Sequence, residues 1–435
     1  MDDVLPVDDP LRATLHNEIH ARPPARIRLP VLVTYVAVLN RDVSREQEWQ
    51  HLCQLPGQAS LPLEALDDSF LRLRLAGYTV KWERHTEFSR YSIVQTLPAG
   101  AGLGAQLPNL TTPLVTPLGW LKSVPGRTVV AIQLVMLDVD LVDEAALLPQ
   151  VHHWFNRRTL VGARLGRSGA WVMTDLKLNP DGFERLLVLA SPGSSETRLG
   201  RISMRLLEVE TYRLMALYGL PVAKQLAPML GESERTLADL TAQLEARSLT
   251  ETALLDRLIG LAARIERATA EHSYRFSATR AYGDLVNQRI TELHEQALPS
   301  TQTLGAFMRR RLSPALATVA STSQRLTSLS ERVARTSALL RTRVDIATEE
   351  QNQQLLEKLT RGQALQLQLQ STVEGLSIAA ISYYVVSLLL YGAKALKAAG
   401  LPIQPEVAAG ALVPVVLWAV WRTTRRIHAR LHRNA

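Results

Sequence analysis

The chain has 435 residues, 46% of them apolar and 21% charged, with 49 Lys and Arg against 41 Asp and Glu for a formal net charge of +8. That length holds two or three domains and a sizeable core. The single cysteine, Cys53, excludes an internal disulfide and suits a reducing cytoplasm; the composition also excludes collagenous, wholly disordered and cysteine-rich metal-ribbon classes.

The first ten residues are acidic and contain two prolines, with no basic stretch leading into an apolar run, so no secretory signal is expected. Residues 1–195 predict a sheet-bearing domain. Val31–Leu39, Tyr78–Trp82, Phe88–Gln95, Val129–Val139, Leu160–Leu165 and Ala170–Asp175 are short, rich in Val, Ile, Tyr and Trp, and bounded by Gly, Pro or Asp. Pro98–Gly104, reading PAGAGLG ahead of a proline-spaced stretch to Pro125, predicts an exposed connection within that domain.

Residues 196–312 predict a helical domain. Leu206, Leu207, Val209, Tyr212, Met215 and Leu217 form one segment ending at Pro221, followed by Leu237–Leu244, Leu254–Ile265 and Tyr282–Leu298, with Pro221, Gly231 and Pro299 between them. From Ser313-Pro314, an N-cap and first-turn proline, no further proline occurs before Pro402. The 61 residues from Pro314 to Glu374 predict a stalk helix about 90 Å long, with Gly362 as its one candidate break. An apolar stripe through Leu326, Leu329, Val333, Leu340, Val344, Leu355, Leu359, Leu365, Leu369 and Val373 calls for a partner helix. Self-association of the stalk is the favoured answer, and packing against the chain's own helices is the other.

Between Glu374 and Lys394 lie 19 uncharged residues, Gly375–Ala393, enough to cross most of a ~30 Å hydrocarbon core. The 15 apolar residues Val407–Trp421 fall short alone but make a full span if the helix begins at Leu401, with Pro402 and Pro405 in its first turn. The two predict a transmembrane hairpin at 375–421, kinked at Pro414 and anchored by Tyr383, Tyr384, Tyr391, Trp418 and Trp421. The tail at 422–435 carries five arginines and no acidic residue, whereas the hairpin loop carries Lys394 and Lys397. Positive-inside logic places both termini in the cytoplasm. The tail's charge suits topology and anionic lipid, so the partners expected are a lipid bilayer and further copies of the chain, and no nucleic acid.

Chemistry-bearing patterns are few. Gly100, Gly102 and Gly104 precede no lysine-bearing helix, which excludes a P-loop, and there is no GxSxG or HExxH. Two polar clusters stand out: His16, Asn17, Glu18, His20 and Arg22, and Glu83, Arg84, His85 and Glu87. On a helix His16 and His20 share a face at a zinc-site spacing; on a strand His16, Glu18 and His20 point one way. The competing reading is a hydrogen-bonded network stitching the N-terminal segment to the sheet. His152-His153 before Trp154 reads as helix decoration, Thr174-Asp175 as a strand end, and Arg309–Arg311 as a solvated turn.

The segments HNEIHARPP (16–24), WERHTEF (82–88), LLEVETYRLMAL (206–217), RFSATRAY (275–282), RRRLSPALAT (309–318), LLRTRVDIATEEQNQQLL (339–356) and LQSTVEGLSIAAISYYVV (369–386) together resemble the signature segments of a bacterial family of membrane-anchored proteins of unknown function. That resemblance covers almost the whole chain and implies no activity, cofactor or catalytic residue. In architecture the chain is also similar to the CorA-type magnesium transporters, whose Tyr-Gly-Met-Asn pore-mouth motif would correspond to Tyr391, Gly392, Ala393 and Lys394. A lysine ring there repels divalent cations.

The expected architecture is therefore an α+β cytoplasmic domain, then a helical domain with a long stalk helix and a C-terminal two-helix transmembrane hairpin. The leading expectation for function is a non-enzymatic, homo-oligomeric scaffold or sensor at the bacterial inner membrane. The alternatives are a CorA-like channel for another ion and a metal-dependent enzyme using the two His/Glu clusters. The sequence names no cofactor or metal.

Overall fold

The computed structural model describes residues 8–12, 15, 25–117, 119–166, 169–246, 250–399 and 404–431. The chain divides into two compact units, Met1–Thr336 and Ser337–Ala435.

The first unit is built on a nine-stranded mixed sheet in the order β2-β3-β4-β1-β5-β8-β7-β6-β9. Its strands are β1 (Val31–Leu39), β2 (Phe70–Leu75), β3 (Tyr78–Arg84), β4 (Phe88–Thr96), β5 (Arg127–Asp138), β6 (Val161–Leu165), β7 (Trp171–Thr174), β8 (Glu184–Ala190) and β9 (Glu295–Ala297). Neighbours are antiparallel except β5 and β8, which run parallel. The α-helices of the two units, among the described residues, are α1 (Arg45–Cys53), α2 (Glu144–Trp154), α3 (Glu196–Leu217), α4 (Gly219–Ala246), α5 (Glu251–Leu293), α6 (Leu304–Arg311), α7 (Ser313–Ala398) and α8 (Pro405–Leu431).

Both faces of the central strands are covered, which is why β1 reads as a near-continuous apolar run rather than an alternation. On one face Val31, Val33, Tyr35 and Ala37 join Ile132, Leu134, Leu186 and Val188 against Leu199, Leu206, Val209 and Met215 of α3. On the other, Leu32, Val135 and Leu187 meet Leu147, Val151 and Trp154 of α2. Val36, Val80, Trp82 and Tyr91 meet Leu52, Leu55 and Trp120 on that same side. Helix α1 starts with a full capping box: the Gln47 N–H donates to the Ser44 hydroxyl at 3.3 Å, and the Ser44 N–H donates to Gln47 Oε1 at 2.9 Å.

Expected and observed strands agree at β1, β3, β4, β5, β6 and β7 to within three residues at each end. β2, β8 and β9 were not expected. The helices are longer than predicted. Gly231 lies inside α4 and Pro221 in its first turn, where its missing N–H is harmless, so neither divides the segment. Leu254–Ile265 and Tyr282–Leu293 belong to one 43-residue helix, α5. Helix α7 runs 86 residues without a break at Gly362 and continues into the apolar stretch from Gly375.

In the second unit the apolar parts of α7 and α8 are exposed. Both helices are long and apolar enough to cross a membrane, and only 6% and 11% of their most apolar windows are buried. A core helix of a soluble protein would be mostly buried. Ser382, Ala409 and Val416 are buried, while Tyr383, Tyr384, Leu388, Tyr391 and Trp418 are exposed. Helix α8 begins at Pro405; residues 401–403, where the second span was expected to start, lie outside the described residues.

One close approach in the first unit demands glycine. A Cβ built on Gly200 of α3 would collide with the Ala25 carbonyl oxygen, so the segment leading into β1 crosses α3 backbone to backbone. Gly200→Ala should cost about 2–4 kcal/mol, whereas Gly260→Ala in α5, with nothing within 4 Å, should stabilise by up to about 1 kcal/mol through helix propensity. Urea unfolding of the two variants should therefore shift in opposite directions.

Candidate functional site

Of the two polar clusters, His16, Asn17, Glu18, His20 and Arg22 lie outside the described residues. Ala25, just after them, lines a small cavity with Arg72, Lys81, Glu83, Arg90 and Ser203.

The second cluster sits at the β3–β4 hairpin. Alternation along β3 turns Trp82 toward α1 and Lys81 and Glu83 toward α3, and the direct cross-strand partner of Glu83 is Arg90. Arg90 holds Glu83 through two nitrogens, and Lys81 Nζ lies 3.0 Å from Glu83 Oε1. Arg90 reaches Glu208 of α3 at 3.5 Å, Arg289 of α5 donates to Glu208 at 2.6 Å, and Glu292 then binds Arg289 and Arg205 at 2.9 and 3.0 Å. The result is a chain of alternating charges from sheet to α3 to α5, buried at its sheet end, where Glu83 is 1% and Arg90 4% exposed. Burial pushes the Glu83 carboxyl up, but Arg90 and Lys81 overcome it and hold the pKa at about 2. Burial pulls the Lys81 ammonium below its usual range against the opposing pull of Glu83. Tyr35, pushed up to about 12 by burial, donates beside this chain to Thr211 at 2.7 Å, and Thr211 donates to the Leu207 carbonyl.

The remaining hairpin residues diverge. Arg84 pairs with Glu48 and donates to the Val43 carbonyl at 2.8 Å, tying the hairpin to α1. His85 stacks on Phe88 with ring centroids 4.6 Å apart, and its carbonyl accepts from Asn40 Nδ2 at 2.8 Å. Glu87 pairs with Arg275 of α5. Burial and then the Glu87 carboxylate raise the pKa of Tyr282, whose ring stacks on Tyr212 at 5.8 Å. A cleft of about 620 Å³ opens here between Arg45, Arg84, His85, Thr86, Tyr212 and Tyr282.

Three segments far apart in sequence, 82–88, 206–217 and 275–282, thus converge on one hairpin. Asn40 and Arg90, which clamp it, carry no sequence signal of their own: one follows the end of a strand and the other sits inside a strand of mixed polarity, FSRYSIVQT. The carboxylates are committed to arginines and a lysine. Among the described residues no group of three or more His, Cys, Asp or Glu side chains is arranged to hold a metal ion. Glu83 and His85 serve different neighbours, and the geometry described assigns no nucleophile or general base. Tyr391 and Lys394, in the second unit, form a cation–π contact at 5.9 Å, and Gly392 beside them has open space around its Cα.

A second carboxyl cluster, not anticipated, lies at the start of β8. Arg213 of α3 donates to Glu184 at 3.0 and 3.2 Å and to Glu210 at 2.7 Å, and Glu210 Oε1 is buried without a donor among the described residues. One arginine faces two buried carboxyls. Burial and the Glu210 charge together raise the pKa of Glu184 to about 7. On the opposite face His51 is sandwiched against Trp120 at 4.4 Å, and burial lowers its pKa to about 4.

A mixed-sheet unit stitched by buried ion pairs, followed by helices long and apolar enough to enter a bilayer, defines the class of protein. The chain belongs to the family described as protein of unknown function (DUF3422), whose model matches residues 7–431. No curated protein and no solved structure matches it, so the similarity to the CorA-type transporters has no support in either comparison.

Removing one member of the buried chain should cost more than removing a pair. Arg90→Leu leaves Glu83 and Glu208 facing each other without their shared cation and should cost about 3–5 kcal/mol, while Glu83→Leu with Arg90→Leu should recover part of that in a double-mutant cycle. The two shifted groups give opposite pH slopes. The raised Glu184 contributes stability that is lost as pH rises from about 4.5 through about 7, and the depressed His51 contributes stability that is lost as pH falls from about 6.5 through about 4. Glu184→Gln should therefore leave stability rising with pH across that window, and His51→Phe should leave it falling, as read by chemical denaturation at each pH.

Proposed function

We propose that this is a non-catalytic inner-membrane protein, held to the bilayer by α7 and α8, whose mixed-sheet unit faces the cytoplasm as a scaffold or sensor and which assembles through α7. The observation that carries the reading is the exposure of the C-terminal apolar helices, which no other part of the chain covers among the described residues. Exposed apolar surface of that extent is stable in water only when lipid or another protein covers it. The arginine-rich end beyond Trp421 supports a cytoplasmic terminus, and an even number of spans returns the N-terminal unit to the same side.

Assembly rests on the part of α7 before the apolar stretch. Leu355 and Leu369, and Leu359 and Val373, are two seven-residue repeats apart, so the four share one face, and each is 56–66% exposed. The same face is buried at Leu326, Leu329 and Val333 in the first unit. A second copy supplies the missing cover in the simplest way, helix against helix.

Fractionation should leave the full-length chain in the membrane pellet after salt and alkaline washes and release it with detergent; recovery in the supernatant without detergent refutes the anchor. In a Cys53→Ser background, Leu369→Cys should give disulfide-linked dimers on mild oxidation, because Cα atoms across such a seam fall within about 7 Å, whereas Ser371→Cys on the opposite face should not. A strictly monomeric detergent-solubilised protein refutes the assembly.

A further inference from the structure

Two features unremarkable in the sequence, the glycine-rich PAGAGLG loop and the His152-His153 pair, meet in the fold. The pair occupies the last turn of α2, after which Asn156 and Arg157 adopt left-handed conformations at φ 52° and 56°. The Asn156 N–H donates to the His153 carbonyl at 2.9 Å and the Arg157 N–H to the His152 carbonyl at 2.6 Å, curling the chain so that Arg157 returns beside the histidines. Trp154 Nε1 donates to the Ala101 carbonyl at 3.4 Å and the Leu107 N–H to the Trp154 carbonyl at 3.2 Å, which fastens the loop to the helix end. Between them lies a cleft of about 680 Å³ lined by Leu103, Gly104, Pro149, His152, His153 and Arg157.

The cleft is richer in donors than in acceptors: Gln150 offers an amide oxygen, its Nε2 being taken by the Ala146 carbonyl at 3.1 Å. No carboxylate among the described residues lines it. The side chains of His152, His153 and Arg157 have no hydrogen-bond or ion-pair partner among the described residues, whereas Arg84, Arg90, Arg158 and Arg213 are all paired with carboxylates. The backbone N–H groups of Gly102, Leu103 and Gly104 are likewise without partners among the described residues. Gly102 and Gly104 also lack any internal reason to be glycine: neither has a positive φ, and a Cβ on either would meet nothing within 4 Å. Backbone left bare beside an unpaired guanidinium and two unpaired imidazoles is the arrangement that anions occupy.

We propose that this cleft binds a ligand bearing a phosphate group, with an apolar portion against Leu103 and Pro149. The side-chain donors of His152, His153 and Arg157 together with the bare N–H groups of Leu103 and Gly104 exceed what one carboxylate accepts, while a phosphate offers three strong acceptor oxygens. The volume is that of a small-molecule site and is too large for inorganic phosphate alone. A soluble metabolite and a lipid headgroup can each carry that phosphate, and the recognising chemistry is the same for both.

The test is calorimetric titration of the full-length protein, in a non-ionic detergent, with phenyl phosphate, inorganic phosphate, phenol and dibutyryl phosphatidic acid. Phenyl phosphate should bind saturably and more tightly than inorganic phosphate or phenol. His152→Ala, His153→Ala, Arg157→Ala and Gly104→Val should each weaken it by about ten-fold with an unchanged thermal midpoint. Dibutyryl phosphatidic acid binding about ten-fold more tightly than phenyl phosphate supports the site and assigns it to lipid; weaker binding supports the site and assigns it to a soluble ligand. Absence of binding by all the phosphates up to about 10 mM, equal affinity for phenol, or binding untouched by Arg157→Ala and Gly104→Val overturns the proposal.

Discussion

The pairing of Glu83 with Arg90 is the contact on which the first unit depends. It sits where the sheet face under α3 stops being apolar: Val33, Tyr35 and Ile132 pack as hydrocarbon, but Lys81, Glu83 and Arg90 on the neighbouring strands present charge to the same side. Such charges cannot be left alone at 1–8% exposure, because desolvation of an unpaired ion costs several kcal/mol. Their mutual satisfaction therefore constrains more than a local bond. Glu208 must come from α3 at one level, and Arg289 must come from α5 behind it, so the register of two helices over the sheet is written in the order of the charges. A buried ion pair is weak evidence of net stability, yet this one restricts the arrangements in which α3 and α5 can pack.

The same logic explains why the hairpin gathers segments remote in sequence. Arg84 leaves toward α1, Glu83 toward α3, and Glu87 toward α5, three directions from three positions within five residues. Period-two alternation settles the first two, and the turn settles the third. What looked in the sequence like a dense cluster of ligating groups is dispersed by the pleat, and each group is neutralised by a different element.

Strands were legible where their edges were punctuated. Val31–Leu39 was read without error because Pro30 and Asn40 bound an unbroken apolar run. β2, FLRLRL, is hidden because its arginines break the apolar run, and β8 because it enters through Glu184, a charge whose partner Arg213 lies in a helix about thirty residues away. Pro221 and Gly231 carry their usual force as breakers in the sequence and divide the helical region too finely, because a proline in a first turn costs little and a single glycine costs only about 1 kcal/mol against the packing of a long helix. The apolar C-terminal helices were the plainest feature of the sequence, since length and lack of charge need no tertiary information. The polar sites were the least legible, because the meeting of Glu83 with Glu208, or of His152 with Gly104, depends on closures of fifty to more than a hundred residues that no local pattern encodes.

The crossing of Ala25 over Gly200 also closes one wall of the cavity holding Lys81, Glu83 and Arg90. The seal is one hydrogen atom thick: the missing Cβ at position 200 is what lets two main chains touch there. Any larger side chain at that position pushes Ala25 outward and admits water to the charges behind it, so the dryness of the Glu83–Arg90 pair is set by a residue that makes no polar contact with either.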